Sequence, residues 1–116
     1  MLDNECLFCK IIKGEIPATK IYEDEYVLCF KDISPVTPVH VLVIPKIHIK
    51  NANEIDEKNS VYLVKIFEAI KEVAKICNVD KTGYRLINNC GKDAGQTVNH
   101  LHFHILGGKD LGENLV

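Results

Sequence analysis

The sequence lacks any apolar run near the ~18 residues that a membrane-spanning helix requires. It also lacks a strong charge of either sign, since 14 basic and 16 acidic side chains give a formal net charge of -2 at pH 7. A surface built for nucleic acid or for an anionic membrane would shift that balance towards basic residues. The composition therefore predicts that neither nucleic acid nor a membrane is a partner.

The first ten residues, MLDNECLFCK, lack the basic and then continuously apolar pattern of a secretory signal. The cysteines number five, and an odd count without such a signal does not indicate a disulfide framework. Internal repeats, low-complexity tracts and linkers are also missing. We therefore expect a cytoplasmic protein whose 116 residues, 1–116, form one domain around a single core.

Short strand patterns and one long helical pattern are what the sequence does contain. LFCKIIKGEIP predicts a short helical turn that ends at Gly14. KIYEDEYVLCFKDIS predicts two strands joined by a tight turn, and HVLVIPK and GYRLINNCG predict two more. The stretch 59–80 predicts one long helix, capped by Asn59 or Ser60, that covers a sheet. Its apolar spacing is carried by Val64, Phe67, Ile70, Val73, Ala74 and Cys77. The predicted fold class is α+β, an antiparallel sheet with helical cover.

Three of the five histidines occupy alternate positions in GQTVNHLHFHILGG: His100, His102 and His104. Because side chains alternate along a strand, all three are predicted to face one side. The apolar residues between and after them would face the long helix. Three imidazoles on a half-buried strand indicate a functional site rather than a solvated surface.

Two kinds of site fit this pattern. A zinc site of three histidines is one, although residues i and i+2 of a strand lie about 7 Å apart and the outer pair about twice that. The other is a nucleophilic imidazole whose neighbours orient it and stabilise charge, with phosphorus as the electrophile. The preceding GKDAGQT favours the second, because glycine amides, the Gln96 amide and the Thr97 hydroxyl can hold phosphate oxygens.

HLHFHIL resembles the signature of the histidine triad (HIT) family, His-x-His-x-His followed by apolar residues. The similarity continues through KIIKGEIPA, YEDEYVLCFKDISPVTPVHVLVIPKIHI, GYRLINNCGKDAGQTV and HILGG, in the order and spacing of the Hint branch. It covers residues 6–108 and implies a five-stranded antiparallel sheet with one long and one short helix. It also implies a homodimer in which two such sheets join into one of ten strands.

The resemblance implies an enzyme that binds AMP-like purine nucleotides. Such an enzyme hydrolyses nucleoside 5′-phosphoramidates or acyl nucleotides through a nucleotidyl-histidine, and no cofactor is required for that chemistry. By position in the motif, His102 is the nucleophile and His104 contacts the phosphoryl oxygens. His100 and His40 complete the imidazole network, and Thr97 protonates the leaving group.

The remaining nucleotide contacts are implied in the same way. Asp32 matches the acid that accepts the two ribose hydroxyls, which suits a carboxylate. The apolar slot for the base matches Leu7, Phe8, Ile11, Phe30 and Ile33, and the phosphate contacts match Asn89, Gly95, Gln96 and Thr97 together with His102 and His104.

A second constellation begins at Cys6 and Cys9. In a helical turn both sulfurs lie on one side, as two of four tetrahedral zinc ligands would; a pair of partly buried thiols is the alternative. Many microbial HIT proteins are similar in pairing such a Cys-x-x-Cys with a histidine in a Pro-Lys-x-His-Ile motif, here His48. The implied fourth ligand is His100, and a zinc there is structural. A zinc-bound His100 would orient the strand rather than relay protons.

Two departures from the family pattern bear on specificity. Thr97 stands where the Hint branch usually has serine, and the tail KDLGENLV lacks the tryptophan-containing end of animal Hint proteins. Conversely, ILGG after the triad is Hint-like, whereas Fhit-type dinucleoside polyphosphate hydrolases have Pro-Arg there. The alternatives to a phosphoramidase are therefore a Fhit-like hydrolase and a non-catalytic nucleotide-binding or scaffold protein.

Overall fold

The computed structural model describes all 116 residues, Met1–Val116. The helices are α1 (Leu7–Ile12) and α2 (Ser60–Ile76), and the strands are β1 (Lys20–Glu23), β2 (Val27–Lys31), β3 (Val39–Pro45), β4 (Tyr84–Ile87) and β5 (Phe103–Gly107). Two single 3-10 turns cover Ala52–Glu54 and Lys92–Ala94. The predicted α+β class, with five strands, one long helix and one short one, is confirmed.

The five strands form one antiparallel sheet in the order β1-β2-β3-β5-β4. The predicted turn between β1 and β2 is made by Asp24, whose carboxylate accepts hydrogen bonds from the backbone N–H groups of Tyr26 and Val27. This side chain satisfies two donors that the tight turn would leave unpaired. β1 and β4 are the two edge strands of the sheet.

Alternation along the strands gives the sheet two apolar faces. Val27 and Cys29 of β2 belong to a core cluster beneath α2, which packs across β1, β2 and β3. Leu28 and Phe30 belong to a second cluster on the opposite face, beneath α1. Because β3 alternates in the same way, His40 lies on the α1 face. The sheet therefore separates the structural core from the face that carries the histidines.

The long helix starts where the sequence predicts, but its N-cap residue makes no capping hydrogen bond. Asn59 occupies the N-cap position without a capping bond; its side chain instead bonds the backbone of Glu54 and Asp56. The buried face of α2 consists of Ile66, Ala69, Ile70, Val73 and Ala74. Neither helix combines the length and apolar character that a membrane span requires.

Two residues of α2 that were predicted to belong to its buried face lie largely outside the core. Val64 is 58% exposed and Phe67 is 45% exposed. Both sit at the margin of the buried face, and Phe67 packs edge-on against Phe103 of β5. The expectation that they are buried against the sheet is wrong because α2 packs mainly across β1, β2 and β3, which leaves Val64 and Phe67 beside an open concavity next to β4.

The histidine segment is only partly a strand. β5 begins at Phe103, so His104 lies in the strand, whereas His100 and His102 precede it. Leu101 and Ile105 are buried beneath α2 as predicted. The extended pattern was recognised correctly, but the strand pairing was predicted to start three residues too early.

Gly107, at the end of β5, supports a prediction about packing. A Cβ atom at this position would lie 3.1 Å from Cγ1 of Val79, which is buried. We expect Gly107→Ala to lower the free energy of unfolding by about 1–3 kcal/mol through overpacking, measured by urea denaturation.

The matched control is the same substitution in a Val79→Ala background, where the crowding methyl group is gone. There Gly107→Ala is expected to cost clearly less than in the wild-type chain. An equal cost in both backgrounds would show that the close approach to Val79 is not the cause.

Candidate active site

Three imidazoles adjoin one another on the α1 face of the sheet. The ring centroids of His102 and His104 are 5.2 Å apart, as are those of His40 and His104. His40 comes from β3 and His104 from β5, two strands that pair directly, whereas His102 comes from the segment just before β5. The structure therefore brings together His40, His102 and His104, as predicted, and turns His100 elsewhere.

A backbone carbonyl determines which nitrogen of His102 carries the hydrogen. Nδ1 lies 2.7 Å from the carbonyl oxygen of His100. A carbonyl oxygen can only accept, so Nδ1–H donates and Nε2 keeps its lone pair. Nε2 has no hydrogen-bond partner in the protein. Since every fully buried side-chain nitrogen or oxygen has such a partner, Nε2 must be at least partly accessible. The ring thus presents an unshared pair on a fixed orientation.

A backbone N–H sets the opposite arrangement on His40 and His104. The N–H of Val36 donates to Nδ1 of His40 at 3.1 Å, so the hydrogen of His40 lies on Nε2. That Nε2–H donates to Nδ1 of His104 at 2.9 Å. His104 must then carry its hydrogen on Nε2, where no protein group accepts it. The bond from the Val36 N–H to His40 thus determines, through His40, that Nε2–H of His104 is a free hydrogen-bond donor.

Asp32 stands behind this chain. One of its carboxylate oxygens accepts a hydrogen bond from the Ser34 backbone at 2.7 Å, and the other lies 3.4 Å from Nε2 of His40. Asp32, His40 and His104 offer ligand atoms within 4.8 Å of one another, the spacing of a metal site. However, Nε2 of His40 carries a hydrogen, because the Val36 N–H occupies the other nitrogen. The group is therefore better described as a hydrogen-bonded relay than as a metal centre.

Burial keeps the triad imidazoles neutral at pH 7. Desolvation lowers the pKa of His100 to about 4, against the opposing effect of its bond to the Pro45 carbonyl. Desolvation also lowers the pKa of His102, although its bond to His100 and the charge of Asp32 oppose the shift. The pKa of His104 falls to about 4 through desolvation first and then through the neighbouring His102 and His40. A neutral imidazole is the form that offers a lone pair.

Phe8 of α1 forms the wall beside the nucleophile candidate. Its ring packs edge-on against His102 at 5.2 Å, against His100 at 5.8 Å and against Phe30 at 5.7 Å. Phe8, Ile11 and Phe30 are all buried in the same apolar cluster. Leu7 and Ile33, predicted to share a base slot with them, are half-exposed and almost fully exposed, respectively.

The glycine-rich loop is fastened by Gln96. Its side-chain oxygen accepts from the N–H of Gly91 at 2.8 Å, and its amide donates to the carbonyls of Lys50 and Val98. The side chain that the sequence assigned to phosphate is thus occupied with three backbone partners. Gly95 has a left-handed backbone, φ 81°, which only glycine adopts without strain.

The other predicted phosphate contacts lie on the same loop. Asn89 is partly buried, and Thr97 is exposed with a hydroxyl that bonds to no protein group. Asn88, which the sequence did not single out, donates from its side chain to the carbonyl of His102 at 2.9 Å. The only sequence signal for it is the doubled asparagine where β4 ends.

His100 turns into a separate cluster with Cys6, Cys9 and His48. It is completely buried, and its Nε2–H donates to the Pro45 carbonyl at 3.0 Å, so that Nδ1 keeps the lone pair. Nδ1 lies 3.3 Å from the sulfur of Cys6 and 3.5 Å from that of Cys9; His48 Nδ1 is also 3.5 Å from Cys9.

These distances fit a tetrahedral ion. Zn–S bonds of ~2.3 Å and Zn–N bonds of ~2.05 Å at tetrahedral angles require sulfur and nitrogen to lie about 3.5 Å apart. All four ligand atoms lie within 4.8 Å of one another. Burial raises the pKa of the Cys9 thiol, so thiolate ligands there require a compensating cation. The donor set therefore fits zinc.

Comparison with known proteins agrees with this geometry. A model of the HIT domain matches residues 13–111. A purine nucleoside phosphoramidase of Escherichia coli is 40% identical over 112 residues, which cover 97% of this chain and 94% of that protein. A HIT family hydrolase from Clostridium thermocellum superposes with a TM-score of 0.96 at 54% identity, over 100% of both chains. A histidine triad protein from Clostridium difficile gives 0.94 at 49% identity, over 98% of this chain and 99% of that one.

The family match spans most of the chain, and the superposed structures share its fold. The chain therefore belongs to the histidine triad family.

Proposed function

We propose that this protein is a nucleotidyl hydrolase that cleaves purine nucleoside 5′-phosphoramidates, or acyl nucleotides, to AMP. The observation that carries the proposal is the hydrogen bond from Nδ1 of His102 to the carbonyl of His100, because it leaves Nε2 as a neutral, accessible nucleophile. The Escherichia coli relative is named a purine nucleoside phosphoramidase, which favours the P–N bond as the one cleaved.

In the first step, Nε2 of His102 attacks the α-phosphorus. The bond from Nε2 to phosphorus forms while the bond from phosphorus to the leaving amine breaks. The amine departs with a proton that the exposed Thr97 hydroxyl relays from solvent. The ring of His102 becomes cationic, and the His100 carbonyl stabilises it by accepting Nδ1–H, much as a carboxylate orients the base in a catalytic triad.

His104 stabilises the charge on the phosphoryl group. Its Nε2–H is a donor without a protein partner, held in that tautomer by His40. A donor fixed before the reaction costs no reorganisation when charge develops on the phosphoryl oxygens. Asp32 lies close to His40 and supports the relay electrostatically while its remaining lone pairs accept the ribose hydroxyls.

In the second step, water attacks phosphorus and the bond to Nε2 breaks. The proton that water loses passes to solvent and replaces the one that the amine took, so that AMP leaves and His102 returns to its neutral form. Gln96 contributes by holding the glycine loop closed through its side-chain bonds to Gly91 and Lys50. The N–H groups of Gly95 and Gln96, predicted to contact phosphate, donate instead to the carbonyls of Lys92 and Gly91 within the loop. Phe8, Ile11 and Phe30 form the buried wall of the base slot, with Leu7 and Ile33 at its rim.

The decisive assay follows AMP release from adenosine 5′-phosphoramidate. His102→Ala is expected to lower kcat by roughly 10⁴-fold or more, because the nucleophile is lost. His104→Ala is expected to lower it by about 10²–10³-fold, the typical cost of one charge-stabilising donor. Mass spectrometry of quenched wild-type enzyme should detect nucleotidyl-His102.

Asn99→Ala, an exposed change beside the triad, is the matched control and should keep wild-type turnover. Turnover that survives in His102→Ala would refute the assignment. Faster cleavage of diadenosine polyphosphate than of the phosphoramidate would indicate the Fhit-like alternative, and AMP binding without turnover of either would indicate a binding protein.

We propose that Cys6, Cys9, His48 and His100 hold a structural zinc ion. The ion would supply the charge that makes the thiolates of the buried Cys9 and the partly buried Cys6 stable, and it takes no part in bond breaking. Its ligands join the N-cap of α1 to the segment that precedes β5. These ligand residues therefore hold α1, and with it Phe8, against the nucleophile.

Protein purified without chelator is expected to contain about one zinc per chain by elemental analysis. Cys9→Ser should lose the metal and lower Tm, whereas Cys90→Ser, outside the cluster, should do neither. Metal-free wild-type protein whose Tm does not respond to added zinc would contradict the site.

We further propose that two copies pair through β4 to give a ten-stranded sheet. The hydrogen-bonding edge of β4 is open, and beside it Val64 and Phe67 of α2 adjoin Tyr84 and Leu86 around an apolar concavity of about 420 Å³. An open edge next to exposed apolar side chains is typical of a strand-pairing interface.

In solution the protein is expected to have a mass of about 26 kDa by sedimentation, twice the 13.1 kDa of one chain. Val64→Asp should shift it towards the monomer by burying a charge at the interface. Leu115→Asp is the control, since Leu115 is also exposed but lies in the tail. A wild-type monomer at micromolar concentration would rule out the dimer.

A further inference from the structure

The backbone of His102 lies outside both strand ladders that flank β5. The pairing of β3 with β5 ends at Val43 and Phe103, and the pairing of β4 with β5 ends at Ile87 and His104. His102 therefore lacks the regular hydrogen bonds that hold the rest of the histidine strand. Other contacts must therefore fix the backbone of His102, the residue that we propose as the nucleophile.

Only a few bonds fix this segment. The N–H of Leu101 donates to the Ile49 carbonyl at 2.6 Å, and the N–H of His100 donates to the Val98 carbonyl at 2.9 Å. The carbonyl of His102 itself is held by the side-chain amide of Asn88 at 2.9 Å. Apart from the ring of His102, which bonds the His100 carbonyl, Asn88 supplies the one side chain that bonds the backbone of residues 100–102.

Asparagine suits this position because the chain must leave the sheet just here. Beyond β4 the main chain turns away into the glycine loop, with a left-handed Gly91. Because the main chain after Ile87 leaves the sheet, its backbone N–H groups cannot donate to the His102 carbonyl. The Asn88 amide stays behind and supplies a donor to the His102 carbonyl in place of a ladder bond.

We propose that Asn88 is a positioning residue for the nucleophile. It holds the peptide group between His102 and Phe103 and thereby fixes the distance from Nδ1 of His102 to the His100 carbonyl, which sets the tautomer. Asn88 and the neighbouring Asn89 then divide their roles: one holds the nucleophile and the other faces the phosphate. The inference rests on the proposed nucleotidyl-histidine chemistry for its kinetic consequence, but not for its structural one.

The kinetic test compares Asn88→Leu and Asn88→Asp, two variants of similar size without the donor, with Asn88→Gln, which keeps it. Leu and Asp are expected to lower kcat for adenosine 5′-phosphoramidate by about 10–100-fold with KM within about threefold, because a misplaced nucleophile costs rate rather than binding. Gln should recover a substantial part of the loss. Asn99→Leu is the matched control and should behave as wild type, since its side chain is exposed.

The substrate-free test uses long-range ¹H–¹⁵N spectra of the imidazoles at neutral pH. Wild-type His102 should show a single tautomer with the hydrogen on Nδ1, and Asn88→Leu should show a mixture of tautomers. This readout separates the two proposals: a wild-type protein without turnover refutes the function alone, while Asn88 remains testable by the spectra. A wild-type His102 spectrum in both folded Leu and Asp variants, or kcat within twofold of wild type in both, would overturn the role of Asn88. If Leu fails to fold, the Asp variant decides.

Discussion

The hydrogen bond of 2.7 Å from the His102 ring to the carbonyl of His100 determines what the rest of the site can do. Imidazole has two nitrogens with interchangeable roles until one partner fixes the hydrogen. Here main-chain groups do so: the His100 carbonyl for His102, the Val36 N–H for His40 and, through it, His104, and the Pro45 carbonyl for the ring of His100. Main-chain groups do not titrate near neutral pH, so they favour the same assignment of lone pair and donor as long as the rings stay neutral.

The fold supplies these groups because the sheet has two unlike faces. One face is buried by α2 and carries most of the hydrophobic core, while the other carries the imidazoles, with α1 as a partial cover. β3 and β5 pair in a register that places His40 opposite Leu106 and His104 opposite Leu42. A slip of one residue would expose Val41 and Ile105, which are buried in the core. Diagonal neighbours on one face lie close enough for their rings to bond. The alternation of side chains along the strands therefore produces both the hydrophobic core on one face and the imidazole cluster on the other.

Sequence periodicity was sufficient for what depends on local pattern. It predicted the five strands, the long helix and the grouping of His102 with His104, because alternation and helical spacing are properties of a few consecutive residues. It could not predict where ladders end, so the strand start at Phe103 and the bond from Asn88 were missed. The exposure of Val64 and Phe67 depends on how many strands lie under α2, and the backbone partners of Gln96 depend on a loop closing over distant residues. Such features arise from three-dimensional neighbours rather than from periodicity.

His100 shows how one residue can serve two neighbours without compromise. Its side chain faces the cysteines, whereas its contribution to His102 comes from the peptide carbonyl that every amino acid has. The side chain at the first position of the triad is therefore not constrained by its bond to His102. A chain of this architecture could exchange that imidazole for another side chain, and lose or gain a metal, without losing the carbonyl bond that orients His102. Chains with this sheet can thus differ in the cluster around the His100 side chain while His40, His102 and His104 keep their arrangement.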